Sequence, residues 1–519
     1  MDSADLHALL RRHWGYSEFR PKQESVVQAI LEGRDAAVVM PTGGGKSLCY
    51  QLPAVAMERT CVVISPLIAL MQDQAAGLRE IGVDAAFLNS SLDSGEMRET
   101  MIRAQRGEYR LLYVSPERIV REDMLNWLTR VPVGFFAIDE AHCISEWGHE
   151  FRPEYRQLGL LRQRFPEVPI AAFTASATRI VRHDILAQLQ LRDPACVVMS
   201  FHRPNLRYIV HGTSDNEIQQ RARLLAAMEY YDEGNIIVYA PTIKSVESTT
   251  EWLCEQGIPA IGYHGRMDSG DRARNQETWM TGDRRVLVGT LAFGLGINKP
   301  DVRAVIHLSL PKSLEQYYQE AGRAGRDGEA ADCVLLWRRR DLGLLVHFIQ
   351  ETQDPDERER AWQRYHVMRQ FVEEQGCRHR RICVHFGETP KWEKCDACDE
   401  CGVTREWLTA EFAKKPKKKA RAAAAATENA GRPAAAKASG SKAKSVGVDS
   451  PLRDALREWR KEMAKSHNVP AYVIVHDTTI DALCHARPRN IAELLEVPGI
   501  GEKKAERFGK VLLSLIQNA

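Results

Sequence analysis

The sequence predicts an α/β protein. Two parallel-sheet domains come first, followed by a small helical module bearing cysteines, a basic flexible linker and a C-terminal all-helical bundle. Three observations lead there. Short apolar runs alternate with helical segments in two separate stretches, the pattern of strands buried on both faces of parallel sheets. Cys395, Cys398 and Cys401 form a C-x2-C-x2-C cluster with Cys377 upstream. A Lys/Ala-rich stretch without apolar periodicity then gives way to a segment of clear helical spacing.

The first α/β stretch contains AAVVM (36–40), CVVIS (61–65), LLYV (111–114), VGFFAI (133–138) and IAAF (170–173), within a domain over 1–203. The second, over 204–339, contains NIIVYA (235–240), IPAIGYH (258–264), RVLVG (285–289) and RAVIHLS (303–309). The turn-forming FHRPN (201–205) marks the hinge between them. Residues 340–404 turn helical and charged, then cysteine-rich. The linker over 405–449 cannot bury enough apolar surface to fold, although AAAAA (422–426) suits a transient helix. Order should return at 450–519, where Ser450 is a good N-cap, Pro451 suits a first helical turn and LRDALREWRKEMAK has helical spacing. Two further helices are expected around Pro498 and Gly499.

With 519 residues the chain exceeds one ordinary core, and 44% hydrophobic with 27% charged residues is the composition of a soluble globular protein. No apolar run is long enough for a membrane span and no charged-then-apolar leader opens the sequence, so the expected location is cytoplasmic, nucleoid-associated in a bacterium. Twelve cysteines in a reducing compartment are core residues and metal ligands, not a disulfide framework. Between Lys414 and Ser445 stand ten Lys and Arg against one Glu, a local charge of +9; the whole chain carries +2, so the remainder carries −7. Nucleic-acid binding by the folded part must therefore come from patches and stacking, with the linker adding a salt-sensitive attraction.

MPTGGGKSLCYQLP (40–53) follows a strand and opens a helix. Thr42, Gly43, Gly44 and Gly45 let backbone N–H groups turn around phosphate oxygens. Lys46 reaches the β and γ phosphates, and Ser47 can ligate Mg²⁺. Asp139 and Glu140 end another buried-type strand; beside such a loop, the first acid suits Mg²⁺ through water and the second suits activation of an attacking water.

PTGGGKS, DEAH (139–142) and QEAGRAGRDG (319–328) together make the chain similar to superfamily 2 helicases, and it resembles the RecQ family of DNA helicases over roughly 9–401. The most specific segments are LRRHWGYSEFRPKQ (10–23), SPLIALMQDQ (65–74), AHCISEWGHEFRPEY (141–155), FTASAT (173–178) and AFGLGINKPDVR (292–303). The resemblance implies two RecA-like lobes. It assigns Tyr16, Arg20 and Gln23 to adenine and Lys46 and Ser47 to phosphate and Mg²⁺. Asp139 and Glu140 become the metal-binding and water-activating acids, and Gln319, Arg323 and Arg326 a motif reaching the γ-phosphate from the second lobe.

The stretch after the acids, with His142, Trp147, His149, Phe151 and Arg152, is crowded with aromatics. Single-stranded bases stack on such rings at roughly 1–3 kcal/mol each, whatever the sequence. The resemblance makes this loop the element coupling DNA to ATP. Core packing is the commoner fate of one aromatic, but Glu146, His149, Glu150 and Arg152 argue against full burial here.

Cysteines 395, 398 and 401 are expected to hold structural Zn²⁺. The RecQ pattern points to Cys377 as the fourth ligand, with His379, Cys383 and His385 as neighbouring competitors. The winged-helix domain common in that family has no room between Cys401 and the terminal bundle, which resembles an HRDC module. Its PGIGEKK (498–504) offers N–H groups and lysines to phosphate, with protein docking as the alternative. The function expected is an ATP- and Mg²⁺-dependent 3′→5′ DNA helicase of repair and recombination, acting on single-stranded and tailed or forked duplex DNA. The alternatives are a DNA-stimulated ATPase that remodels or anneals strands with weak unwinding, and a non-enzymatic DNA-structure-binding scaffold.

Overall fold

The computed structural model describes residues 3–213, 216–290, 299–409, 450–467 and 471–518. The start of AFGLGINKPDVR, the alanine run 422–426 and most of the expected linker lie outside the described residues. Seven parallel strands form the first sheet: β1 (Ala36–Val39), β2 (Thr60–Ile64), β3 (Ala85–Leu88), β4 (Leu111–Val114), β5 (Val133–Ile138), β6 (Ile170–Thr174) and β7 (Ala195–Val198), in the order β3-β4-β2-β5-β6-β1-β7. Six more form the second: β8 (Leu206–Gly212), β9 (Asn235–Tyr239), β10 (Ala260–Tyr263), β11 (Val286–Gly289), β12 (Val302–His307) and β13 (Ala331–Trp337), in the order β10-β11-β9-β12-β13-β8.

Strand alternation explains the continuous apolar runs. Along β5, Phe136 and Ile138 enter one core while Phe135 and Ala137 enter the core on the opposite face. Both faces are covered, so no polar alternation survives in the sequence. Four strands go beyond those the sequence predicts: β3 and β7 are short, β7 alternates half-buried and exposed positions, and β8 and β13 carry polar residues such as Arg207 and Asp332.

Topology also brings the site together. β5, β6 and β1 are adjacent and parallel, with Val39 level with Thr174 and Ile138 level with Ala172. The loops leaving their carboxyl ends therefore share one edge of the sheet. At the opposite ends, the buried Asp35 ties three strands: its carboxylate accepts from Ile170 N (2.8 Å) and Arg192 N (2.7 Å) and pairs with the Arg162 guanidinium.

The terminal bundle has its own core, including Leu452, Trp459, Leu483, Phe508 and Leu512. It rests on the first lobe through Glu80, whose carboxylate takes Arg507 (2.8 Å) and His467 (3.4 Å). The turn anticipated as a phosphate ligand faces the same lobe: Gly501 packs against the backbone of residues 12–15, and Lys504 is buried. In this arrangement the turn packs on the first lobe.

Asp35→Ala should destabilise the first lobe by about 3–5 kcal/mol, because it strands a buried guanidinium and two strand-end amides. Urea unfolding checks this, and a loss below about 1 kcal/mol would remove Asp35 from the organising role.

Candidate active site

β1 runs into the 40–45 loop, which turns sharply before helix Lys46–Met57. Gly45 caps that helix at φ +80°, left-handed backbone that a side chain would strain. Lys46 Nζ donates to Met40 O at 3.2 Å. Burial pushes its ammonium below the usual lysine range, and the charges of Glu140 and Asp139 only partly offset this. Ser47 hydrogen-bonds Tyr50.

The residues expected at adenine lie beside the same loop. Arg20 donates to Gly43 O, and the Gln23 amide donates to Gly44 O (3.3 Å) and Gly45 O (3.1 Å) while accepting from Arg20 N (2.8 Å). Gln23 thus braces the phosphate loop. Tyr16 stands 47% exposed.

Asp139 ends β5 with its backbone held by Ile64 O and by the Tyr155 hydroxyl, which donates to Asp139 O at 2.9 Å. Glu140 has φ +47°, a strained backbone for a non-glycine residue, and its N–H returns to Asp139 Oδ1 at 3.0 Å. Burial and the neighbouring Glu140 charge raise Asp139 above the usual carboxylate range. Burial also opposes ionisation of Glu140, but the hydrogen bond and charge of His142, with Lys46 beyond, outweigh it and hold this carboxyl low. A buried, ionised carboxylate beside a cationic pocket can accept a proton from water.

From Glu140 a chain of contacts crosses to the second lobe. His142 Nδ1 lies 3.3 Å from Glu140 Oε2 and 2.9 Å from Thr174 Oγ1. Its ring stacks on His149, centroids 4.8 Å apart and 4° from parallel. His149 hydrogen-bonds Gln319, and Gln319 Nε2 donates to Ser176 Oγ at 3.0 Å. Arg326 lies against the phosphate loop: a β-carbon built on Gly43 would be 3.4 Å from its Cγ, and one on Gly322 would be 3.5 Å from Thr42 Cβ. Burial, with Arg323 and Arg203 as like-charged neighbours, pushes Arg326 down to about 9. Arg323 is buried and hydrogen-bonds Tyr239. Such a cluster stabilises negative charge strongly when one is supplied.

The expected residues therefore separate into two groups. Lys46, Asp139, Glu140, His142, His149, Gln319 and Arg326 converge on the cleft. Trp147 (45% exposed) and Phe151 (37%) point away from it, with Arg152 half-buried beside them. His142 and His149 of this loop meet the cleft, while Trp147 and Phe151 are exposed.

Sequence reasoning missed several supports. Arg203, in the segment read as a hinge, donates to the carbonyls of Gly322 (2.6 Å), Ala324 (3.0 Å) and Gly325 (2.8 Å), holding the Arg323–Arg326 turn. Glu146 is reached by Arg156 (3.7 Å) and by Arg360 of helix Pro355–Glu373 (3.5 Å), tying the aromatic loop to the cysteine module. FTASAT and FHRPN were visible as motifs, but only folding reveals these partners.

Cys377, Cys395, Cys398 and Cys401 place their sulfurs within 4.8 Å of one another. Arg378 N and Ala397 N each donate to a sulfur at 3.4 Å, Cys398 and Cys395 respectively. Four convergent thiols with amide support fit a closed structural Zn²⁺ site. The competitors are engaged elsewhere: His379 with Leu206 O (2.9 Å), His385 with Glu315 (2.7 Å), Cys383 with Glu388. The loop also meets β8, with Tyr208 N donating to Ala397 O (3.2 Å) and Val210 N to Asp399 Oδ2 (3.2 Å). Purified protein should contain one zinc per chain by elemental analysis, and Cys398→Ser should lower its melting temperature. Folded, metal-free protein of unchanged melting temperature would exclude the site.

Comparison with known proteins adds four matched families along the chain: DEAD/DEAH box helicase over 20–183, helicase conserved C-terminal domain over 219–328, RecQ zinc-binding over 339–402 and HRDC domain over 449–516. The chain is 33% identical to the ATP-dependent DNA helicase RecQ of Pasteurella multocida, covering 99% of this chain and 93% of that protein. It is 32% identical to the ATP-dependent DNA helicase RecQ of Bacillus subtilis, covering 98% of each. The Pasteurella alignment spans 595 positions against 519 residues here, so that relative carries segments without a counterpart. Among solved structures, doubly truncated Mss116p bound to ssRNA and AMP-PNP shares the fold, with TM-score 0.56 and 17% identity over 68% of this chain and 76% of that one. Among the described residues, no helix is long and apolar enough to cross a membrane.

Proposed function

Because the chain belongs to the RecQ family of helicases, we propose that it uses ATP hydrolysis to move 3′→5′ along single-stranded DNA and unwind tailed or forked duplexes, in repair and recombination. One observation carries the reading: the cleft gathers phosphate-type groups from both lobes, while the loop leaving Glu140 presents Trp147 and Phe151 to solvent. Lys46 and the 43–45 amides would take the β and γ phosphates, and Tyr16 would stack on adenine, with Arg20 beside it. Ser47 and Asp139 would hold Mg²⁺, which when bound neutralises phosphate charge. Glu140 accepts the proton of the attacking water. Arg323 and Arg326 stabilise charge on the transferring phosphoryl only when the second lobe is close, which couples hydrolysis to lobe motion. Trp147 and Phe151 stack on bases, and the His142–His149–Gln319 chain carries the state of that loop to the cleft. Cysteines 377, 395, 398 and 401 hold Zn²⁺ as a structural ion. The working compartment in this reading is the cytoplasm, at the nucleoid if the source is bacterial.

Unwinding of a 3′-tailed duplex with ATP, beside 5′-tailed and blunt controls, tests the proposal; preference for the 5′ tail would reverse the polarity, and ATP-independent strand separation would end the motor reading. Lys46→Ala should lower ATP turnover at least about 100-fold while single-strand affinity persists. Glu140→Gln should bind ATP yet turn over about 10²–10⁴-fold more slowly. Trp147→Ala should reduce DNA stimulation more than basal turnover. Equal loss of both rates with a lowered melting temperature would make Trp147 a packing residue.

A further inference from the structure

Gly15 and Gly501 interlock. A β-carbon built on Gly15 would lie 2.8 Å from the Ile500 carbonyl carbon and 2.9 Å from Gly501 N. One built on Gly501 would lie 2.8 Å from Arg12 O, 3.0 Å from His13 O and 3.1 Å from Gly15 N, all in the first lobe. Gly15 ends helix Ser3–Trp14, its N–H donating to Arg11 O at 3.0 Å, and the next residue is Tyr16. The bundle's turn is therefore the wall behind the segment that carries the exposed tyrosine.

The bundle also has a second footprint. Asp477 Oδ2 lies 3.5 Å from Nζ of Lys299, a buried second-lobe lysine that also donates to Met280 O at 3.0 Å. Ala471 N donates to Glu277 Oε1 at 3.3 Å. Asp477 is fixed within the bundle by Arg460 at 3.1 Å. A body with its own core that touches both lobes satisfies both footprints only at one interlobe spacing, and here that spacing has Arg326 against Gly43.

We propose that the C-terminal bundle is a nucleotide-affinity element: Gly501 positions the Tyr16 segment, and the two footprints together favour the closed cleft that holds ATP. This rests on the reading of Tyr16 as the adenine platform. By linkage, whatever factor docking adds to ATP affinity, ATP adds to docking. The bundle's Pro-Gly-Ile-Gly turn is consumed by the contact, so any nucleic acid that takes this turn must displace it and weaken ATP binding.

Gly501 lies outside the left-handed region, and all its close approaches are to the first lobe, so Gly501→Ala removes docking without straining the bundle. Arg507→Glu is the second variant, reversing the charge that meets Glu80. In full-length protein at saturating single-stranded DNA, both should raise KM for ATP roughly 5-fold or more with kcat little changed. Hydrogen exchange should quicken across residues 8–16 and 76–83 while the bundle core around 452–459 and 508–516 keeps its protection. Tyr16→Ala, run alongside, should raise KM as well. Quickened exchange with unchanged KM overturns the proposal. Unchanged exchange across 8–16 in both variants overturns it too, because the contact is then not what protects that segment. If Tyr16→Ala raises KM and neither undocking variant does, the inference fails alone. If Tyr16→Ala has no effect, the adenine reading fails and takes the inference with it.

Discussion

Arg326 against the phosphate loop is the contact on which the rest of this structure turns. A guanidinium buried beside Arg323, Arg203 and, across the loop, Lys46 sets like charges together in a low-dielectric cleft. The acids present, Asp139 and Glu140, belong to the lobe that carries Lys46, and Glu140 is further engaged by His142. The balance between the lobes therefore depends on an anion placed between them. Glu140 offsets part of the like-charge crowding at Arg326, and a polyphosphate would add attraction from both sides.

Sheet order determines which groups feel that charge first. Because β5, β6 and β1 lie side by side, Glu140, Ser176 and Lys46 leave the same edge of the sheet. The aromatic loop starts two residues after Glu140, and its histidine pair reaches Gln319 without an intervening mobile element. Arg360 and Arg156 steady the loop from the far side through Glu146. Exposed rings and buried acids are thus two ends of one short segment.

Much of this was legible in the sequence, and the omissions have physical causes. Strands buried on both faces, such as VGFFAI, write themselves as apolar runs; Asp332 in β13 breaks that rule because Arg405 and Tyr231, distant in sequence, take its carboxylate at 2.6 Å each. The glycine loop, the paired acids and the cysteine spacing are local patterns, so they could be read directly. The motif matches Gln23 to adenine; the fold adds that its amide spans the phosphate loop, a contact set by the close approach of Gly45. Arg203 and Arg360 carry no local signal, since a surface arginine and a bracing arginine look alike until their carbonyl or carboxylate partners are placed. The glycines and lysines of the terminal turn suit either phosphate or docking; the fold adds that Gly501 meets the helix end at 12–15, a partner distant in sequence.

The meeting of the cysteine loop with β8 has an effect beyond the second domain's stability. β8 is the last strand of its sheet, and its outward N–H groups at Tyr208 and Val210 are answered by Ala397 and Asp399, residues that sit among the four thiols. An ion held by those thiols would therefore also keep this sheet edge covered. Stripped of it, the chain would present the Tyr208 and Val210 N–H groups of an edge strand, a template for pairing with the same edge of another copy. Oxidation of one cysteine, or removal of the ion by a chelator, would then be felt as self-association, seen by light scattering at protein concentrations where each isolated copy still retains its sheets.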